Sequence, residues 1–282
     1  MKFNKPNALV FVPDDIVVSK AIERTTVMGI AAHQDDLEIM SFQGILDCFG
    51  KTDEWYFGVI VTNGAGSPRS GPYQNCSDED MQRIRKTEQK KAAYVGEYGA
   101  VAMLDYTSAE VKDHKNRDMI LEIKKLLQQA KPKVVYTHNL ADKHDTHVSV
   151  ALRTIQAIRE LPEESKPDKI YGCEVWRALD WMNDNEKVLF DVAYHPNIAA
   201  AVLGVHDSQI IGGKRYDLAT SGRRLANATY AESHGTDTTN QLSFAMDLTP
   251  LIKDSSLDIK HYILGYIQRF SEDVSEKLQK FI

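Results

Sequence analysis

Short apolar segments rich in β-branched residues alternate along the chain with longer segments of helical periodicity. The apolar segments are Thr25–Ala32, Trp55–Thr62, Ala100–Tyr106, Lys133–His138 and Lys169–Trp176. Continuous apolar runs of this length are typical of strands that are buried on both faces of a parallel sheet. We therefore predict that these segments form parallel strands in the interior of the fold.

Three segments with helical spacing separate these strands. They cover residues 77–99, which open with a serine suited to an N-cap, Asp118–Pro132 and Thr146–Leu161. The β-α-β order predicts an α/β fold, a Rossmann-like three-layer sandwich with a mostly parallel sheet.

The pattern is weaker after about residue 180. We expect a strand at Lys187–Ala193, a helix at Asn197–Gln209 and a closing amphipathic helix at Ile259–Ile282. Residues 211–237 are rich in glycine and polar side chains, which favours loops and short helices that wall a pocket.

Composition places the chain among ordinary globular proteins. It has 282 residues, of which 43% are hydrophobic and 26% charged. We expect one domain over residues 1–282, with the C-terminal third (about 180–282) contributing pocket loops and the closing helix. No apolar run approaches the ~20 residues that cross a bilayer. The N-terminus lacks a long apolar signal region, so a cytoplasmic location is expected.

Charge and cysteine content exclude several classes of site. The formal charge of -6 comes from 40 acidic and 34 basic residues, so the chain has no global basic surface for nucleic acid. Cys48, Cys76 and Cys173 are far apart and form no C-x-x-C pair, which argues against a disulfide framework or a thiolate metal site. The basic run Lys86–Lys91 is interpreted as a solvated helix face.

Two polar clusters follow predicted strands. "AAHQDD" ends the first strand, and "THNLADKHDTH" ends the fourth. In an open parallel sheet, ligands bind beyond the carboxyl ends of the strands, near the switch in strand order. The residues expected at this edge are His33, Asp35, Asp36, His138, Asp142, His144, Asp145 and His147.

Imidazoles and carboxylates in this arrangement suit a divalent metal ion. The side chains at His33 and Asp36 can reach one cation from a turn, and a ligand from the second cluster completes the set. Two histidines and one carboxylate with an open position form a catalytic zinc site, and also a non-haem iron centre. Asp35 fits a general base, while Asp142 or Asp145 can orient a ligand imidazole. Each cluster alone would suit helix capping or solvated polar groups, but together they favour a metal site.

At these residues the chain resembles the PIG-L or LmbE-like family of metal-dependent N-deacetylases. The family motif AHPDDE corresponds to "AHQDDLE", and D-x-H-x-D-H corresponds to "DKHDTH", Asp142–His147. The resemblance extends to "TNGAG", "RIRKTEQKKA", "HDSQ" and "YAE". Gln34 stands in place of the usual proline, Leu37 is inserted before the glutamate, and the second motif departs at two positions.

The resemblance implies a role for each motif residue. His33, Asp36 and His147 would bind zinc, with iron(II) as another metal that the ligand types permit. Asp35 would be the general base, and His144 would stabilise the oxyanion or protonate the leaving amine. The reaction would be hydrolysis of an acetamide on an N-acetylglucosamine-containing or similar small N-acylated molecule.

Four further residues are candidates for substrate contact. Asn63 and Arg69 lie in a glycine-rich loop. Its composition suits a loop that lines the sugar pocket and an ordinary surface loop equally well. Arg85 is most simply paired with Glu88 one helical turn away, although the resemblance favours a substrate contact. His206 is either a satisfied core histidine or a residue that lines the site.

Two other functions remain open at this stage. An iron-dependent oxygenase uses the same ligand triad, and the motif departures leave room for a catalytically silent sugar-binding protein. The expected partner is a small N-acetylated sugar or glycoconjugate rather than nucleic acid or membrane. The resemblance also leaves room for a homo-oligomer built through helices outside the core.

Overall fold

The computed structural model describes residues 2–282, whose centre is one eight-stranded sheet. In chain order the strands are β1 Leu9–Phe11, β2 Val27–Ala31, β3 Tyr56–Thr62, β4 Ala100–Tyr106, β5 Val134–His138, β6 Lys169–Cys173, β7 Val188–Asp191 and β8 Leu242–Asp247. Their spatial order is β1-β4-β3-β2-β5-β6-β8-β7. The predicted α/β fold with a mostly parallel sheet is confirmed.

The five central strands are parallel to one another, and their spatial order is β4-β3-β2-β5-β6. β1 joins one edge antiparallel to β4, and β8 and β7 join the other edge antiparallel. From β2 the chain proceeds towards β3 and β4 on one side, and returns to β5 and β6 on the other. The order therefore reverses between β2 and β5, where parallel sheets bind ligands at the carboxyl ends of their strands.

Twelve helices surround this sheet within the described residues. They are α1 Val18–Glu23, α2 Asp36–Met40, α3 Phe42–Cys48, α4 Asp78–Val95, α5 Ser108–Lys112, α6 Asp118–Ala130, α7 Asp145–Arg159, α8 Pro196–Gly204, α9 Asp207–Ile210, α10 Tyr216–Tyr230, α11 Thr249–Lys253 and α12 Ile259–Gln279. Among residues 2–282, none of these helices combines the length and the apolar character needed to cross a bilayer.

The sheet separates two apolar cores. Along β2, Met28 and Ile30 pack with α1, α6 and α7, whereas Val27 and Ala31 pack on the opposite face with α2, α3 and α8. Alternate residues of a strand point to opposite faces, so a fully apolar strand supplies both cores at once. This layering explains why the central strands are continuous apolar runs in the sequence.

The C-terminal third differs from the predicted pattern. The helix expected at Asn197–Gln209 is interrupted between α8 and α9. Residues 211–237, expected as loops and short helices, contain the 15-residue helix α10. Strands β1 and β8 had no counterpart among the predicted elements. Both pair antiparallel outside the parallel centre of the sheet, where a continuous apolar run is not required.

Candidate metal centre and its pocket

The first polar cluster forms a tight turn between β2 and α2. His33 follows the strand, and Asp36 is the first residue of α2. The backbone N–H of His33 donates to Oδ2 of Asp36 at 2.7 Å, and Nδ1 of the same imidazole lies 3.1 Å from that oxygen. The turn therefore directs an imidazole nitrogen and a carboxylate oxygen to one point.

The second cluster brings His147 to the same point from the first turn of α7. Its Nε2 atom lies 3.1 Å from Nδ1 of His33 and 3.3 Å from Oδ2 of Asp36. The three predicted ligand atoms thus form a nearly equilateral triangle. Four ligands placed tetrahedrally around zinc at bonds of roughly 2.0–2.1 Å are separated by about 3.3 Å. The side chain of His147 is fully buried, and that of Asp36 is nearly so.

The electrostatics of this triangle reflect its burial. Burial lowers the pKa of His33 to about 4, although Asp36 opposes the change. Burial opposes ionisation of Asp36 as well, but the surrounding imidazoles outweigh it and lower the pKa of that carboxyl. For His147, burial is outweighed by Asp36 and Asp142, so its pKa is raised. The site thus holds an ionised carboxylate, which favours a cation.

Asp142 lies behind His147. Its Oδ2 atom is 3.6 Å from Nδ1 of His147, and this oxygen also accepts the backbone N–H of Trp176 at 3.0 Å. Its Oδ1 atom accepts the backbone N–H of His144 at 2.9 Å. Asp145, the other predicted orienting carboxylate, is exposed at the start of α7. Of the two candidates, Asp142 is the one beside the imidazole.

His138 is buried next to the triangle, but its Nε2 atom already accepts a hydrogen bond. Nε2 accepts the backbone N–H of Ala32 at 2.9 Å and lies 3.6 Å from Oδ2 of Asp36. A neutral imidazole nitrogen has one lone pair, so the atom that accepts this hydrogen bond has none left for a metal ion. The ring stacks on His147 with centroids 3.9 Å apart and so fixes its plane.

Asp35 has an unusual backbone and a buried side chain. Its φ angle is 93°, a left-handed conformation that non-glycine residues seldom adopt and that is often found at functional sites. Burial raises the pKa of this carboxyl to about 7, while the Arg85 guanidinium, 3.4 Å away, opposes the rise. Arg85 also donates to the backbone oxygen of Gln34 and to Ser67.

His144 completes the group on the pocket side. It is the N-cap residue of α7, and its ring stacks on that of His147 with centroids 4.6 Å apart. Its Nδ1 atom is buried and has no hydrogen-bond partner among the described residues. Burial, reinforced by His147, lowers the pKa of His144. The ring of His144 also lines the pocket beside the triangle.

A cavity of about 310 Å³ opens over these groups. His33, Asp35, Asp36 and His144 are at its floor. Residues from the loop after β3, from α4 and from the C-terminal third complete its walls, namely Gly64, Ser67, Arg85, Gln209, Lys214 and Tyr216. The two predicted polar clusters thus open into one pocket at the switch in strand order.

Only one of the four predicted substrate contacts lines the cavity. Arg85 lines the cavity, but its partner is Asp35 rather than Glu88, which instead accepts hydrogen bonds from Ser208. The interpretation of Arg85 and Glu88 as an ion pair within the helix is wrong, because the two side chains face different partners.

The other three predicted contacts do not line the cavity. Asn63 accepts the N–H of Ala65 with its side chain, which shapes the glycine-rich loop. Arg69 donates to the backbone oxygen of Ala65 and pairs with Asp78. These side chains are therefore satisfied within their own loop and the adjacent helix.

His206 also departs from its predicted role. It is fully buried, and its Nε2 atom lies 3.2 Å from Oε2 of Glu38. That carboxylate also accepts Tyr98 at 2.6 Å and Gln89 at 2.8 Å. Gln89 faces the backbone N–H of Asp35 at 3.4 Å. His206 therefore belongs to a buried network under the turn and does not line the cavity.

The sequence predictions did not include the aromatic wall of the pocket, which consists of Trp176 and Tyr216. Trp176, beyond the end of β6, and Tyr216, the first residue of α10, both line the cavity. Their rings meet edge to face with centroids 6.0 Å apart. A tryptophan at the carboxyl end of a predicted strand was the available signal, because strand ends carry the pocket in such folds.

Solved structures with the same fold include proteins of different activities. N,N'-diacetylchitobiose deacetylase from Pyrococcus horikoshii aligns with a TM-score of 0.61 and 14% identity, covering 88% of this chain and 92% of that one. GalB, the 4-carboxy-2-hydroxymuconate hydratase of Pseudomonas putida KT2440, aligns with 0.61 and 13%, covering 79% and 95%. The zinc-inhibited form of teicoplanin deacetylase Orf2 aligns with 0.53 and 13%, covering 79% and 97%. At these identities the similarity shows the fold alone.

No curated protein matches the chain at a significant level. The profile of the family described as "PIG-L: GlcNAc-PI de-N-acetylase" matches residues 28–158. That range contains both polar clusters and every atom of the triangle. The match confirms the family resemblance seen in the two motifs and, with it, the expectation of a deacetylase-type enzyme. Over residues 28–158 this chain is thus similar to the PIG-L family.

Proposed function

We propose that this protein is a divalent-metal-dependent N-deacetylase, with zinc as the first metal to test and iron(II) as the second. The observation that carries the proposal is the triangle of His33 Nδ1, Asp36 Oδ2 and His147 Nε2, with sides of 3.1, 3.1 and 3.3 Å. The substrate would be a small molecule or glycoconjugate that contains an N-acetylated amino sugar. The whole chain would act as one domain, because the pocket takes residues from both its N-terminal and C-terminal parts.

The donor set fits such a cation. Two neutral imidazoles and one carboxylate supply three ligands and leave room for exchangeable positions on the pocket side, as in catalytic zinc sites. The carboxylate of Asp36 is ionised in this surrounding, so the set carries a negative charge that favours a cation. When bound, the ion would polarise the acetamide carbonyl and acidify a water molecule.

Asp35 is proposed as the general base. It lines the pocket next to the triangle, and its carboxylate is not one of the three ligands. Its role would be to take the proton of the attacking water, for which a buried carboxyl of raised pKa is suited. Arg85 is proposed to hold this carboxylate in place through their 3.4 Å contact.

His144 is proposed to act on the other side of the reacting carbonyl. Because it lines the pocket next to the triangle, its ring would donate a hydrogen bond to the developing oxyanion or pass a proton to the leaving amine. Stacking on His147, together with the hydrogen bond from its own backbone N–H to Asp142, holds the ring at the pocket floor. Amide hydrolysis needs a base, an oxyanion donor and a proton for the amine, and each need has a candidate here.

The test is acetate and free-amine release from a panel of N-acetylated sugars, using metal-loaded protein. Asp35→Asn is expected to lower kcat by about 10²-fold or more while the protein still binds one metal ion. Lys260→Gln changes an exposed residue on α12 and is the control for handling. Near-full activity of Asp35→Asn would refute the assignment of the base.

The same assay separates the alternatives. An oxygenase would consume oxygen with iron(II) and release no acetate, and a silent binding protein would bind sugars without releasing acetate. The hydratase with this fold is the reason for measuring water addition to unsaturated acids as a separate control. Acetate and amine released in equal amounts would support the deacetylase alone.

A further inference from the structure

Helix α2, which has the proposed ligand Asp36 as its first residue, is too short to fix its own position. It has only five residues. Isolated helices shorter than about 12–15 residues are marginal in water, so the position of α2 depends on contacts with other elements. The residue before it, Asp35, has a φ of 93°, a strained conformation that persists only where surrounding contacts enforce it. The direction of the Asp36 carboxylate therefore depends on residues outside this turn.

A buried arginine from the C-terminal third bonds to the other end of α2. Arg224, on α10, is only 4% exposed. Its Nη2 atom donates to the backbone oxygen of Glu38 at 2.9 Å and to that of Ile39 at 3.2 Å. The last carbonyl groups of a helix have no partner within the helix, and both of these belong to buried residues that water does not reach. Arg224 supplies the donor that these two carbonyl groups need.

The guanidinium of Arg224 has no acidic partner among the described residues. Its central carbon lies 4.7 Å from the centre of the Phe42 ring, and burial lowers the pKa of this arginine to about 10. A buried cation is costly when no carboxylate lies beside it. Within residues 2–282, both hydrogen bonds of this side chain go to α2. The polar contacts of the cation are therefore made with the helix that carries Asp36.

A second arginine contacts the same turn at its start. Arg85, on α4, donates to the backbone oxygen of Gln34 and lies 3.4 Å from Asp35. Arg85 thus bonds just before α2, whereas Arg224 bonds at its end. Arg85 lies within residues 28–158, the range that matches the PIG-L profile, and Arg224 lies outside that range. The strained turn is therefore held from two separate parts of the chain.

We propose that Arg224 is a positioning residue for the metal centre, because it holds α2 so that Asp36 stays directed at the metal ion. Since α2 is little more than one helical turn, a shift of its last residues would move Asp36 as well. Oδ2 of Asp36 lies 3.1 Å from Nδ1 of His33 and 3.3 Å from Nε2 of His147, so a small shift would open this triangle. The inference rests on the proposed function for the metal ion, but not for the substrate or the reaction.

The test is the affinity of the full-length protein for zinc and cobalt(II), measured by chelator competition, together with the absorption spectrum of the cobalt(II) form. Arg224→Met removes the guanidinium and is expected to lower metal affinity about tenfold or more, the loss typical when a group that supports a ligand is removed. The cobalt(II) spectrum should change as well, because it responds to the arrangement of the ligands. Arg224→Lys keeps a cation that can donate to a carbonyl group, so it should recover a large part of the affinity.

Arg83→Met is the matched control. It makes the same chemical change at an arginine of α4 whose side chain is 73% exposed and pairs with Asp80 at the surface. Because surface pairs contribute little, this variant should keep the metal affinity and the cobalt(II) spectrum of the unmodified protein.

Kinetics supply a further readout. Arg224 does not line the cavity over the metal centre, so it is not expected to contact the substrate. Arg224→Met should therefore lower kcat when metal is limiting and leave KM unchanged, and the loss should shrink as metal is added. A variant that had only lost part of its folded population would not recover kcat in this way.

The proposal is overturned if Arg224→Met is folded by circular dichroism and binds metal as tightly as the unmodified protein, with the same cobalt(II) spectrum. If Arg224→Met does not fold, the same comparison is made with Arg224→Gln, which keeps an amide donor. Weaker metal binding by the variant, in a protein that releases no acetate from any N-acetylated sugar, would support this role of Arg224 and refute the deacetylase function. Acetate release by the unmodified protein, with metal affinity unchanged in the variant, would do the reverse.

Discussion

Replacement of Asp142 by asparagine should weaken metal binding without removing a ligand. In the structure one oxygen of Asp142 faces Nδ1 of His147 at 3.6 Å and accepts the N–H of Trp176, while the other accepts the N–H of His144. An asparagine can keep only one oxygen. Its carboxamide therefore leaves either the N–H of His144 or the N–H of Trp176 without an acceptor, and in both cases it removes the negative charge 3.6 Å from Nδ1 of His147.

The size of the effect follows from the role of such carboxylates. Loss of a carboxylate that orients a ligand imidazole typically lowers metal affinity about 10–100-fold, which corresponds to roughly 1.4–2.7 kcal/mol. Backbone N–H groups left without their acceptor would lower the free energy of unfolding as well, by about 1–3 kcal/mol. Metal affinity should therefore be measured by chelator competition at a temperature where the variant is fully folded.

Asp145→Asn is the matched control. It removes the same charge three residues along the chain, but from an exposed side chain in the first turn of α7. Its expected cost is limited to the favourable interaction of an acid with the helix N-terminus, about 0.3–1 kcal/mol of stability. The role of Asp142 is refuted if the metal affinity of Asp142→Asn lies within about threefold of that of the unmodified protein, or if both variants lower the affinity equally.

Two further predictions concern stability. Burial opposes protonation of His206, but Glu38 outweighs burial and raises the pKa of this imidazole. The stabilisation from the pair is therefore complete below the unfolded pKa of about 6.5. It is lost as the pH rises through the pKa of His206 in the folded protein. Urea unfolding against pH should show that decline in the unmodified protein, and a His206→Gln variant with the same decline would contradict it. In β2, a Cβ at Gly29 would lie 2.0 Å from the Tyr56 hydroxyl, so Gly29→Ala should cost about 1–3 kcal/mol of unfolding free energy. Gly222→Ala in α10 meets open space and should add roughly 0.5–1 kcal/mol, and equal effects of the two alanines in thermal unfolding would rule out this explanation.

The central part of the fold was predictable because its strands are buried on both faces. Val27–Ala31 and Tyr56–Thr62 are apolar throughout, so the sequence pattern and the burial agree. The parallel order then brings the ends of β2 and β5 together, which is why two motifs a hundred residues apart meet in the structure. Neither step needed information about side-chain orientation.

The C-terminal third was less predictable because its elements carry weaker signals. Helix α10 contains Gly222 together with serine, threonine and asparagine, which are residues of modest helix propensity. Three of the four residues that it buries, Thr220, Arg224 and Asn227, are polar, so the sequence shows no clear apolar face. Strand β8 lies between two antiparallel neighbours, and Ser243 and Asp247 interrupt its apolar run. The aromatic wall at Tyr216 therefore could not be placed before the structure was known.

Side-chain partners in the site could not be read from spacing either. Asp142 and Asp145 are three residues apart, and only the position at which α7 begins decides which one lies behind His147. For Arg85 and Glu88, one turn apart on α4, tertiary partners replace the local pair. Both side chains are buried, so each needs a partner in the fold where water cannot reach it, and those partners come from other elements.

The most direct test of the account is the anomalous diffraction of crystals grown with a divalent metal ion. We expect one peak per chain, on the cavity side of the triangle. It should lie about 2.0–2.2 Å from Nδ1 of His33, Oδ2 of Asp36 and Nε2 of His147. A peak bound instead through His138, or no peak at these three atoms with metal in excess, would contradict it.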